Sequence, residues 1–264
     1  MDSRLPTLPP ELEQYIFELA ARRYRSSIPA FLRVAQRVHH DVWLQRMLYE
    51  SLLVDIVRNR PTPNECRPAA SDFFASRVRH LCVTSSIREH DCLLALLSSC
   101  KDAPITSLAL FVPFPNPDFL PYIPPTLTRP TVDVQYLFGG PLKLNLAHPA
   151  LARITHLDII QPAYDTWGFW SGLAQMPALT HLAFRDKYLP HVVASVLAQC
   201  GGLQAVGVVW SGGKSGKGED VHRVADWERG VLGEGDFWSR ADELILRKTT
   251  GQAKASQCWV QGFS

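Results

Sequence analysis

Cysteine pairs at metal-ligand spacing are missing from this sequence. Its six cysteines, Cys66, Cys82, Cys92, Cys100, Cys200 and Cys258, stand singly, and without a C-x-x-C pair there is no zinc-knuckle spacing. No secretory leader is expected either, since the opening MDSRLPTLPPELEQ contains no apolar core segment. The expectation is an intracellular protein, of cytoplasm or nucleus, with reduced structural thiols. Charge of one sign is scarce, since 27 Lys and Arg face 25 Asp and Glu for a net +2. That balance does not by itself point to nucleic acid. A membrane span is lacking as well. The uncharged stretch between Lys187 and Lys214 carries Pro190, His191 and Gly201-Gly202, and reads as a helix VVASVLAQC, a turn, and a strand LQAVGVVW rather than about twenty continuous apolar residues.

A phosphate-binding loop is absent by a single position. GVVWSGGKSG, residues 207–216, ends an apolar run in Gly-Gly-Lys-Ser. The motif needs a glycine five places before the second glycine, so that backbone N–H groups can turn toward the phosphates. Counting back from Gly213 reaches Val208, and Gly207 lies one place too early. The continuation GKGED reads as a surface loop rather than a helix start. No nucleotide is expected. His39-His40 and His90-Asp91-Cys92 form no recognisable catalytic arrangement. No metal or cofactor is expected, and the chain is not expected to be an enzyme.

What is present falls into regions. Residues 1–57 read as a helical domain, 58–72 as a polar, proline-bearing linker, 73–210 as a repeat region, and 211–264 as a glycine-rich loop with a C-terminal capping segment. Pro9-Pro10 suits a helix start, because the first-turn N–H groups lack partners anyway. Leu12, Ile16 and Leu19 then share one helical face. Ser27 with Pro29 marks a second helix start. Phe31, Ala35, Val38 and Val42 repeat at helical spacing, and Leu44, Leu48 and Leu52 continue an apolar stripe.

In the repeat region one phrase recurs: VRHLCV (78–83), ITSLAL (105–110), ITHLDI (154–159), LTHLAF (179–184) and LQAVGV (203–208). The alternation is that of strands. Helix ends and turns precede several of them, and the last three are about 25 residues apart, as in a leucine-rich-repeat-like unit. Stacked units share one core. The Asn or Cys that satisfies buried backbone in regular repeats is expected after each strand, but those places hold Pro113, Pro162 and Lys187. The solenoid is therefore expected to be irregular. Seven prolines between 113 and 130 predict a long extended loop, and 141–147 a further edge strand. Asp236 is an N-cap candidate for a helix with Phe237, Ala241, Leu244 and Ile245 on one face, read as closing the last repeat.

The opening LPPELEQYIF-EL followed by FLRVAQRVHHDV resembles the F-box, and VWLQRMLYESLLV and DFWSRADELILRKTTGQ resemble segments of F-box-like proteins of mushroom-forming fungi. AARRYRSSIPA stands where an acidic connection is usual. With the repeats, the expected fold is α/β: an N-terminal F-box-like helical bundle, then a short, irregular leucine-rich-repeat-like solenoid with a C-terminal capping helix. The resemblance implies a substrate-recognition subunit of a cullin–RING (SCF-type) ubiquitin ligase. It would dock on a Skp-family adaptor, and through it a cullin, by Leu8, Pro9, Leu12, Ile16, Phe17, Phe31, Leu32 and Val34, and hold a target protein on the repeats. The alternative is a non-catalytic interaction scaffold whose N-terminal helices only cap the solenoid. Trp167, Phe169 and Trp170, expected in a loop, are either a partner-binding patch or buried against a neighbouring repeat.

Overall fold

Pro10 opens the first helix, α1 (Pro10–Arg23), where its missing N–H costs nothing; the helix ends with the Tyr24 N–H donating to Ala20 O at 2.8 Å. The computed structural model describes residues 9–24, 50–55, 77–84, 90–111, 117–160, 162, 164–185, 187, 189–209 and 219–254. The chain divides into two compact units, Met1–Ser51 and Leu52–Ser264. In the first, α1 carries Leu12, Tyr15, Ile16 and Leu19 exposed to solvent.

Short apolar runs build the second unit. In chain order the elements are β1 (Ser51–Asp55), β2 (His80–Thr84), α2 (His90–Ser99), β3 (Ser107–Phe111), β4 (Arg129–Val132), α3 (Val134–Leu137) and β5 (His156–Ile160). Then follow α4 (Trp167–Trp170), β6 (His181–Arg185), α5 (Pro190–Gln199), β7 (Ala205–Val209), α6 (Glu219–Leu232) and α7 (Phe237–Thr249). The strands lie side by side in sequence order as one seven-stranded sheet. Strands β2 to β7 pair in parallel, with the repeated phrases aligned: His80 beside Ser107, and His156 beside His181. Every residue of β3, β5 and β6 is buried, as expected of parallel strands covered on both faces.

One face is apolar. Leu81, Leu108, Leu157, Leu182 and Phe184 are fully buried, and the buried Trp170 of α4 packs edge-on to Phe184 at 5.9 Å. The opposite face is covered by α6 and α7. Val224 and Trp227 of α6 pack on Cys82, Ala109, Phe111 and Ile160, and Phe237 packs with Trp238 of α7 on Ala183 and Val209.

This arrangement corrects the expected fold. The C-terminal helices do not simply close the end of an open solenoid; they lie across the face of a single parallel sheet, because that face carries apolar and ionic groups that need cover. An N-terminal helical bundle is not present among the described residues, which hold α1 and strand β1 of that region. The helix starting at Ser27 lies outside them. The apolar stripe expected to run helically to Leu52 ends instead in β1, where SLLVD suits a pleated, half-buried strand. The proline-rich stretch is not one extended loop: Pro117–Tyr122 is a 3-10 helix, and Arg129–Val132 is strand β4 inside the sheet. Pro130 denies the ladder a donor, and β4 is short, pairing with β5 through Thr131↔Asp158 and Val132↔Ile159. Residues 141–147 form no edge strand, since Pro141–Lys143 is a 3-10 turn. Asp236 caps α7 as read from the sequence, accepting from the Ser239 N–H at 2.8 Å.

Candidate functional site

The residue before each of four strands is threonine, and the four form a ladder. Thr106, Thr128, Thr155 and Thr180 each give their backbone N–H to the carbonyl of the preceding turn, of Arg79, Thr106, Thr128 and Thr155. Each hydroxyl donates to the same carbonyl, at 3.3, 3.2, 3.3 and 3.1 Å. Each hydroxyl thus adds a side-chain bond to a carbonyl that the backbone ladder already uses at the start of the strands. The Asn or Cys ladder sought after the strands is replaced by one on the other side, whose signal was the Thr in ITS, LTR, ITH and LTH.

Side-chain alternation then sets rows across the face under α6 and α7. The first row holds His80, Ser107, Arg129, His156 and His181, and the next holds Cys82, Ala109, Thr131, Asp158, Ala183 and Gly207. Gly207 is required by close approach: a Cβ there would overlap the tip of the Phe237 ring. In the third row Arg185 reaches back to Asp158. Its Nε donates to Asp158 Oδ2 at 3.0 Å and its Nη2 donates to the same oxygen. Asp226 of α6 comes to 3.7 Å from Arg185 Nη2. Both carboxylates and the guanidinium are almost wholly buried. Burial pushes the Asp226 carboxyl up from its usual value against the lowering influence of Arg185. Asp158 Oδ1 has no hydrogen-bond partner. These groups border a cavity of about 160 Å³ between sheet and helices, also lined by Arg223 and Trp227. Trp227 Nε1 donates to Ser107 Oγ at 3.1 Å, pinning α6 to β3. The ionic groups are balanced and largely committed to one another, so the cavity orders the sheet–helix layer more evidently than it presents a reactive group.

Beside it, His156 and His181 stack face to face, centroids 4.2 Å apart and 2° from parallel. Trp238 stands edge-on to both, at 5.2 and 5.9 Å. Burial, with Arg129 and His181 nearby, lowers the His156 imidazole to about 3. Burial also lowers His181, against the opposing pull of Asp242. One ligand atom from each of His156, His181 and Asp242 lies within 4.8 Å of the others. A search for neighbouring Cys or His in sequence misses this cluster, because its histidines sit 25 residues apart and strand register joins them.

The residues read from the sequence are distributed as follows. Pro9, Leu12 and Ile16 are exposed and Phe17 is half-buried on α1, while Leu8, Phe31, Leu32 and Val34 lie outside the described residues. Trp167, Phe169 and Trp170 form the one-turn helix α4, not a loop. Trp170 is fully buried and its Nε1 donates to Tyr164 O at 2.8 Å. Phe169 packs against Tyr164 and Trp170, and with Trp167 stays half-buried. The Gly-Lys loop lies outside the described residues. Cys82, Cys100 and Cys200 are free thiols, and burial pushes Cys100 up to about 11, far from a reactive thiolate.

No family model, no curated protein and no solved structure matches the chain. Among the described residues no helix is long and apolar enough to cross a membrane.

Proposed function

We propose that the chain is a substrate-recognition subunit of an SCF-type ubiquitin ligase, docking on a Skp-family adaptor through α1 and the chain that follows it. One observation carries the reading: Leu12 is 52% exposed and Ile16 50% exposed, with Leu19 and Tyr15 beside them. An apolar row of this kind at solvent on a helix suits capture by a partner's groove. The F-box-like opening supplies the partner's identity. The chain's own contribution is proximity: it holds a target near the conjugating enzyme at high effective concentration. Because α6 and α7 cover one sheet face, target contact falls to loops, short helices and the outer faces of the packed helices.

The test is calorimetric titration of the full chain with a purified fungal Skp-family adaptor, against a Leu12→Asp, Ile16→Asp variant. Both side chains are exposed, so circular dichroism is expected to be unchanged. Saturable binding weakened at least 30-fold in the variant is expected, since central apolar anchors contribute about 2 kcal/mol or more. Absence of binding by folded wild-type chain overturns the reading and leaves the interaction-scaffold alternative.

A further inference from the structure

We propose that the cavity between the sheet and the covering helices α6 and α7 binds a small zwitterionic amino acid. The first support is its size. A cavity of about 160 Å³ takes a guest of about six non-hydrogen atoms, benzene being the reference case. L-Alanine has that size. The second support is charge. Arg129, Arg185 and Arg223 border the cavity, and so do Asp158, Asp226 and Asp236, so their formal charges cancel. A guest of net charge would upset that balance in a desolvated space, whereas a zwitterion keeps it.

The third support is which groups have bonding capacity left. Both bonds from Arg185 go to Asp158 Oδ2. Asp158 Oδ1 has no hydrogen-bond partner, and the residue is only 1% exposed. A buried carboxylate oxygen of this kind calls for a donor, and an ammonium group makes a strong, charge-assisted one. Arg129 provides the opposite end. It is exposed at the start of β4, and no carboxylate pairs with it among the described residues. Register sets the spacing. Thr131 lies opposite Asp158, and Arg129 stands two residues earlier on β4, on the same face. With about 3.3 Å per residue and about 4.8 Å between strands, the Cα atoms of Arg129 and Asp158 lie about 8 Å apart. Their side chains shorten that span to what one molecule with its charges on adjacent carbons can meet. Trp227 and Trp238 also line the cavity and give the aliphatic part of the guest an apolar wall. The lining runs from exposed Arg129 and half-buried Thr106 and Thr128 to buried Asp158 and Arg185, which gives the guest a way in from the strand starts.

The test is calorimetric titration of the full chain with L-alanine near neutral pH. One molecule per chain is expected, with a Kd of about 1 mM or tighter, within reach of about six non-hydrogen atoms. Propionate lacks the ammonium group and L-alaninamide lacks the carboxylate; each is expected to bind about tenfold more weakly or worse. Arg129→Ala, at an exposed position, is expected to leave circular dichroism unchanged and to weaken L-alanine binding about tenfold or more. A cavity filled by water alone gives no saturable heat with L-alanine and overturns the proposal. So does propionate or L-alaninamide binding as tightly as L-alanine, or an Arg129→Ala chain that binds L-alanine undiminished.

Discussion

Asp158→Ala isolates the buried ion pair under α6. The substitution removes both hydrogen bonds to Arg185, whose side chain is only 7% exposed. The guanidinium stays buried, with Asp226 3.7 Å away. Removing one partner of a buried pair costs about 3–5 kcal/mol, because the other charge remains desolvated. Asp226 offsets part of that, so the lower end applies, about 3 kcal/mol. For a unit of this size the melting temperature falls by about 6–12 °C. With a urea m-value of about 2–3 kcal/mol/M, the midpoint falls by about 1–1.5 M. The assay is equilibrium urea denaturation followed by tryptophan fluorescence, with the m-value checked for constancy. The companion double variant, Asp158→Leu with Arg185→Met, removes both charges and fills the same space. It is expected to recover most of the loss, since apolar replacement of a whole buried pair is often neutral or stabilising. A single-variant cost under about 1 kcal/mol, or a double variant no better than the single, refutes the reasoning.

Two further outcomes follow from the same face. Gly207→Ala forces the Phe237 ring off β7 and is expected to cost about 1–3 kcal/mol by thermal denaturation, with recovery when Phe237→Leu is added; an unchanged melting temperature for the single variant would place the ring elsewhere. His156 has a usual imidazole value of 6.5 unfolded and about 3 folded, so the unfolded chain binds more protons between those values and stability falls as pH drops from 6.5 toward 3. His156→Gln is expected to flatten that dependence of the urea midpoint between pH 7 and 4.5, and equal slopes for both proteins would contradict it.

The strands were legible because VRHLCV, ITSLAL, ITHLDI, LTHLAF and LQAVGV repeat one apolar alternation at strand period. The Asp236 cap was legible because its chemistry is local. Three of the ladder's threonines were in view in ITSLAL, ITHLDI and LTHLAF, yet their role depends on each hydroxyl finding the carbonyl of the previous turn. Strand β4 was hidden by Pro130, whose penalty is local while its neighbours β3 and β5 hold it in place.

By itself, the sequence determined part of the local structure: the five recurring strand phrases, the Asp236 cap, and the apolar row of α1. Tertiary structure alone decided that α6 and α7 cover the sheet, that Arg185 meets Asp158 across 27 residues, and that His156 stacks on His181 beside Asp242. Period and capping act over a few residues and leave a pattern in the chain. Contacts across parallel strands depend on register and on the cost of leaving charges buried without partners, and neither is written at any one position.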